Sequence, residues 1–220
     1  MLVAGVDDAG RGPAIGPLVI AGVAMPEEEL EKLKSIGVKD SKALTPSRRR
    51  SLAEVIKKTV TRYHIESVSP SEIDKVVFQA RKFHKLNRLE AHVMARVITI
   101  LRPDVAYVDA SDILEERFKE YIEEKLTVPV CIISEHKADQ KYPIVSAASI
   151  LAKVERDTAV ERLCEKYGDF GSGYITDPKT VAFLKKWIER FGSYPDFVRK
   201  SWKPVKKLAE KYRDKQRKLL

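Results

Sequence analysis

The chain has 220 residues, 44% hydrophobic and 33% charged, with a formal net charge of +9. That length buries a sizeable core without disulfides or structural metals, and the balance excludes disordered, collagen-like and disulfide-scaffold proteins. It has no apolar run of about 18 residues to span a bilayer, and Met1-Leu2-Val3-Ala4 reaches Asp7 without a secretory leader pattern, so a cytoplasmic protein with no membrane partner is expected.

Leu2 to Asp8 reads as a short apolar strand ending in two acids. Gly10-Arg11-Gly12-Pro13 is a turn cluster, and Leu18 to Ala24 is a buried strand, so the two strands form a hairpin. Glu27 to Glu31 starts a short helix, and Gly37 to Lys42 is a loop. Thr45-Pro46 opens a helix to about Lys58, a strand follows over Thr59 to Val68, and Ser69-Pro70-Ser71 caps another helix. Leu86, Leu89, Val93, Val97 and Ile100 recur at steps of three and four, which predicts a long helix over 85–101. Val105 to Asp109 is a short strand ending in an acid.

A helix over 115–126, a strand over 128–134 and a polar loop from His136 to Tyr142 come next. Pro143 starts a helix with Ile144, Ala147, Ala148, Leu151 and Val154 on its apolar face. Gly168 to Pro178 is a glycine-rich loop before a helix to Arg190; the tail from Pro195 is helical, with a break at Pro204. An early hairpin followed by strand–helix–strand units implies an α/β fold with a mixed sheet and helices on its faces. Cys131 and Cys164 match no metal spacing and read as small buried hydrophobes.

Charge and chemistry concentrate at different places. From Arg199 to Leu220 ten Lys and Arg stand against two acids, so this tail carries nearly all of the net charge. A polyanionic partner is one reading; the solvated helix of a heat-adapted protein is the other. Asp7 and Asp8 close the first strand, Asp109 closes the fourth, and Asp139 precedes the Pro143 helix. Ligands of open α/β sheets bind at such strand ends. Alternation puts Asp7 and Asp8 on opposite faces, so they share a site only where the strand twists or ends. Carboxylates gathered in one place repel unless cations are bound, and hard oxygen donors favour Mg²⁺ or Mn²⁺. Taken singly, a strand-end aspartate more often caps or is solvated. Gly10-x-Gly12-x-x-x-Gly16 is not a dinucleotide fingerprint, and no phosphate-binding loop of the G-x-x-x-x-G-K-[ST] kind or G-x-S-x-G is present.

Gly5-Val6-Asp7-Asp8-Ala9-Gly10-Arg11-Gly12-Pro13, Asp40-Ser41-Lys42, Tyr107-Val108-Asp109, His136-Lys137-Ala138-Asp139 with Tyr142-Pro143 and Val145 to Lys153, and Gly173-Tyr174 with Asp177-Pro178 resemble, in order, the blocks of type 2 ribonuclease H of archaeal kind. The resemblance implies a ribonuclease H-like mixed sheet flanked by helices, with a catalytic domain over 1–190 and a basic helical segment over 191–220. It implies an endonuclease for the RNA of RNA/DNA hybrids and for ribonucleotides embedded in duplex DNA, leaving 3′-hydroxyl and 5′-phosphate ends. It makes Asp7, Asp8, Asp109 and Asp139 the metal-binding and catalytic acids, holding two Mg²⁺ or Mn²⁺ ions. Gly10, Arg11 and Gly12 would approach the ribonucleotide, Lys42 a phosphate, and Tyr174 the neighbouring sugar.

One position departs: the family carries Glu where this chain has Asp8. The shorter side chain withdraws the carboxylate by around an ångström, and misplacements of that size cost roughly a hundredfold. Two other readings stay open, a DNA or junction nuclease on a similar fold and a non-catalytic hybrid-binding protein. A monomer is expected, and Lys218-Leu219-Leu220 offers no aromatic anchor for a replication clamp.

Overall fold

The computed structural model describes residues 1–38, 45–79 and 85–217, with side-chain surroundings through 214. Five strands form one sheet: β1 (Leu2–Ala9), β2 (Leu18–Pro26), β3 (Arg62–Val68), β4 (Val105–Asp109) and β5 (Cys131–Glu135), in the order β3-β2-β1-β4-β5. β1 pairs antiparallel with β2, while β1–β4 and β4–β5 are parallel. The expected hairpin and mixed sheet are therefore present. The helices are α1 (Leu30–Ser35), α2 (Pro46–Thr59), α3 (Pro70–Gln79), α4 (Lys85–Leu101), α5 (Glu115–Glu123), α6 (Ala138–Lys141), α7 (Pro143–Tyr167), α8 (Pro178–Phe191) and α9 (Lys203–Arg217).

Local chemistry explains most of the boundaries. Thr45 caps α2 by accepting from the Arg48 N–H, with Pro46 in the first turn where its missing donor costs nothing. Asp177 and Pro178 open α8 in the same way, and left-handed Gly192 closes it. Several expectations are corrected. Cys131 is exposed and Cys164 half-buried, so neither is the small buried hydrophobe expected. Residues 138–141 form a short helix rather than a loop, entered through Lys137 at a φ of 56°. α9 starts at Lys203 with Pro204 in its first turn, so this proline opens the helix instead of breaking it. β5 begins at Cys131, past Pro129, because a proline cannot donate to a ladder.

The chain divides into two compact units, one of Met1–Ala9, Val19–Ser67 and Phe83–Glu155, the other of Gly10–Leu18, Val68–Lys82 and Arg156–Leu220. The first holds the sheet. Val3, Val19, Ala21, Val23 and Met25 pack on one side with Ile144, Val145 and Ala148 of α7. Gly5 marks the closest approach there, because a Cβ would fall 2.3 Å from the Ile144 carbonyl carbon. On the other side Gly22 lies under Val97 and Leu101 of α4, where a Cβ would stand 2.6 Å from Val97. The second unit has its own core of Ile15, Val160, Phe170, Leu184, Ile188, Val198 and Val205. α9 presents Val205, Leu208, Ala209 and Tyr212 to that core and exposes Lys203, Lys206, Lys207, Lys211 and Arg213.

Candidate active site

The first unit gathers acids beside the end of the β1–β4 ladder. The parallel pairing runs from Val3↔Val105 to Val6↔Val108 and stops there. β1 continues past it, with Asp7 and Asp8 still paired to Ala21 and Ile20 of β2. Both acids thus lie inside the strand on one edge and beyond the ladder on the other. Asp109 is the residue after Val108, at the matching level of β4, and pairs with Glu135 of β5.

Strand alternation sends the two neighbouring acids to different anchors. Asp7 is buried, 4% exposed, and its carboxylate accepts the Asp8 N–H at 2.7 Å and the hydroxyl of Ser149 on α7. Asp8 is half-buried and accepts the Ser111 hydroxyl at 3.3 Å; the same hydroxyl meets the wholly buried Glu90 of α4. The Asp109 carboxylate accepts the Ala138 N–H at 2.9 Å, which ties the start of α6, and so the adjacent Asp139, to the end of β4.

Electrostatics then single out Asp7. Burial first, then the charges of Asp8 and Asp109, push its carboxyl well above the usual carboxylate range, against the opposing pull of Ser149 and the Asp8 N–H. Like charges this close raise one another's affinity for a positive partner, proton or metal. Among the described residues no three acidic, histidine or cysteine side chains stand as a ready coordination cage. Asp7 with the neighbouring Asp8 and Asp109 offers only carboxylate oxygen, a donor chemistry that suits a hard divalent cation rather than zinc.

The second unit contains most of the other expected contacts. Gly10 sits at a φ of 88°, where a Cβ would meet the Pro17 carbonyl at 2.5 Å, so only glycine fits. A Cβ on Gly12 would lie 3.4 Å from the Tyr174 ring, so the loop and Tyr174 are immediate neighbours. The Arg156 guanidinium stands 5.2 Å from the Tyr174 ring centre and donates to the Ser172 carbonyl at 2.6 Å. The Gly173 carbonyl accepts from the N–H groups of Ala14 and Ile15 and binds the two loops together. Lys42 lies outside the described residues.

Sequence reasoning missed Glu90, Ser111, Ser149, Arg156 and Arg199. Glu90 had a signal, since it falls on the apolar face of α4 shared by Val93, Val97 and Leu101. The others had none, because a serine or arginine carries no periodic mark of what it will meet.

A family model described as Ribonuclease HII matches residues 4–205. Ribonuclease HII of Pyrococcus furiosus is 47% identical over 221 residues, covering 100% of this chain and 96% of that protein. The ribonuclease H2 structure from Pyrococcus horikoshii OT3 superposes with a TM-score of 0.90 at 45% identity, over 97% of this chain and 99% of that one. The structure of the PCNA:RNase HII complex from Archaeoglobus fulgidus gives 0.82 at 46% identity, over 92% and 96%.

Proposed function

The chain belongs to the ribonuclease HII family and is a ribonuclease H, an endoribonuclease; from that premise we propose that it cuts the RNA strand of RNA/DNA hybrids and nicks duplex DNA at embedded ribonucleotides. The observation that carries the reading is the buried Asp7 carboxylate pressed by Asp8 and Asp109. Asp7, Asp8, Asp109 and Asp139 are the residues that would hold two Mg²⁺ or Mn²⁺ ions. Such ions, when bound, activate a water and stabilise the leaving 3′ oxygen of a phosphodiester.

The remaining steps belong to the chain itself. Ser149 and the Asp8 N–H fix the orientation of Asp7, so its lone pairs are set before substrate arrives. Gly10, Arg11 and Gly12 approach the ribonucleotide through backbone groups, and the 2′-hydroxyl is what separates it from deoxyribose. Tyr174 offers its ring to the adjacent sugar, Lys42 its charge to a phosphate, and the exposed lysines of α9 grip the duplex. The products are 3′-hydroxyl and 5′-phosphate ends.

The test is a DNA duplex holding one ribonucleotide, incubated with Mg²⁺, Mn²⁺ or EDTA, with the ends of the product identified. Cleavage at the ribonucleotide only with metal is expected. Tight hybrid binding with no product under any metal, in both the parent and Asp8→Glu, would select the non-catalytic reading instead.

A further inference from the structure

The Gly10–Gly12 loop is held by donors from 188 to 190 residues away in sequence. The Arg199 side chain is wholly buried. Its guanidinium donates to the Gly10 carbonyl, to the Arg11 carbonyl at 2.7 Å and to the Gly16 carbonyl at 3.0 and 3.2 Å. The indole N–H of Trp202 donates to the Gly12 carbonyl at 3.0 Å, and the Trp202 ring lies 4.9 Å from the Arg199 guanidinium. The segment that carries both is itself fixed, because the buried Asp74 carboxylate accepts the N–H groups of Lys200 and Ser201 at 2.8 and 2.9 Å. All three successive carbonyls of the loop thus point at residues 199 and 202.

A trans peptide directs its N–H opposite to its C=O. With the Gly10 and Arg11 carbonyls drawn to the guanidinium, the Arg11 and Gly12 N–H groups must face away from it. The third peptide contributes no N–H, because Pro13 follows Gly12. The positive guanidinium at the carbonyl ends also polarises both peptides and strengthens their outward donors. Two adjacent, parallel-facing N–H groups form a small concavity for an oxygen acceptor.

We infer that Arg199 and Trp202 are positioning residues for substrate recognition: they set the Arg11 and Gly12 N–H groups toward a sugar or phosphate oxygen of the nucleic acid. This rests on the proposed reading of the loop as the ribonucleotide contact. Neither residue touches the substrate. Their work is to remove the loop's freedom to turn a peptide over, which would swap a donor for a repelling carbonyl.

The test uses the full chain. Trp202→Phe deletes the indole N–H and keeps a ring over Arg199; Arg199→Lys keeps the charge but loses the fork that spans three carbonyls. Binding is read in EDTA by fluorescence anisotropy, on a DNA duplex with one ribonucleotide and on its all-deoxy twin. The ratio of the two affinities is expected to fall about fivefold or more in Trp202→Phe and further in Arg199→Lys. With metal, KM for the ribonucleotide substrate rises more than kcat falls. A merely structural defect would weaken both duplexes alike and leave the ratio intact. A ratio that falls identifies the 2′-hydroxyl as the acceptor; equal weakening on both duplexes, with an unchanged melting temperature, identifies a phosphate. In parallel, the amide resonances of Arg11 and Gly12 are compared between parent and Trp202→Phe without nucleic acid. Unshifted amides together with unchanged affinity for both duplexes would overturn the inference, whether or not Arg199→Lys folds. A parent that binds both duplexes equally would overturn the reading of the loop, while the amide shifts still decide the positioning.

Discussion

Replacing Gly5 by Ala tests how β1 and α7 jointly build the acidic site. The new Cβ would stand 2.3 Å from the Ile144 carbonyl carbon, 2.4 Å from its oxygen and 2.5 Å from the Val145 nitrogen. Ordinary contact begins near 3.4 Å, so helix and strand must separate by about 1 Å. All three obstructing atoms are backbone, so no side chain can rotate aside. Overpacking of this kind costs about 3 kcal/mol, which for a chain of this size lowers the melting temperature by roughly 6–12 °C. The same retreat pulls Ser149 of α7 from the Asp7 carboxylate, and a displacement of that size costs about a hundredfold in rate. Thermal unfolding by circular dichroism and cleavage at saturating metal measure the two effects. A variant melting within about 2 °C of the parent and cutting at the parent's rate would refute the claim that this helix packing sets Asp7.

Three further outcomes are expected. Asp8→Glu lengthens the side chain by one methylene and should lower the metal concentration for half-maximal cleavage, with up to a hundredfold gain in rate; a variant slower than the parent at every metal concentration counts against Asp8 as a ligand. Lys207→Gln combined with Lys211→Gln, two exposed α9 positions, should weaken duplex binding and flatten the plot of log affinity against log salt by about 0.9 for each phosphate no longer neutralised; an unchanged slope in salt-titrated anisotropy removes α9 from the interface. Burial alone would raise the Asp112 carboxyl, but bonds from Arg117, Asn87 and the Leu114 N–H overturn that and hold it far below the usual carboxylate range. Its stabilisation is therefore present above the unfolded value of about 3.9 and lost as pH falls through the folded one. Arg117→Met should lower the urea midpoint at pH 7, with a smaller difference at pH 3; equal differences at the two pH values would contradict the linkage.

What could be read in the sequence was what repeats. α4 and β4 lie where their periodicity places them, because steps of three and four, or a short apolar run, survive whatever they pack against. α6 could not be read this way. Its four residues show no period, and its entry depends on Lys137 holding a left-handed conformation. Asp7, Asp8 and Asp109 stood out by their places at strand ends, and Asp139 by its place before the Pro143 helix. Their anchors did not: Ser111 is 103 residues from Asp8 in the chain, and Arg199 is 188 from Arg11. Nothing local marks Arg199, among the cations of its segment, as a buried one.

The adjacency of Asp7 and Asp8 gains its meaning from the point where pairing stops. Inside a fully paired strand, alternation would leave one acid on each face with a sheet between them. Here β4 pairs with β1 only as far as Val6, so no further β1–β4 rung lies beside the two acids. Each then needs its own tether to hold it in place: Ser149 on the α7 side for Asp7, and Ser111 with Glu90 on the α4 side for Asp8. An aspartate reaches less far than a glutamate, so the Asp8 tether bears more on where its charge sits than it would with the longer residue. Removing the Ser111 hydroxyl should therefore harm the parent more than it harms Asp8→Glu, and a double-mutant cycle on metal-dependent cleavage with a coupling near zero would show that the tether has no such role.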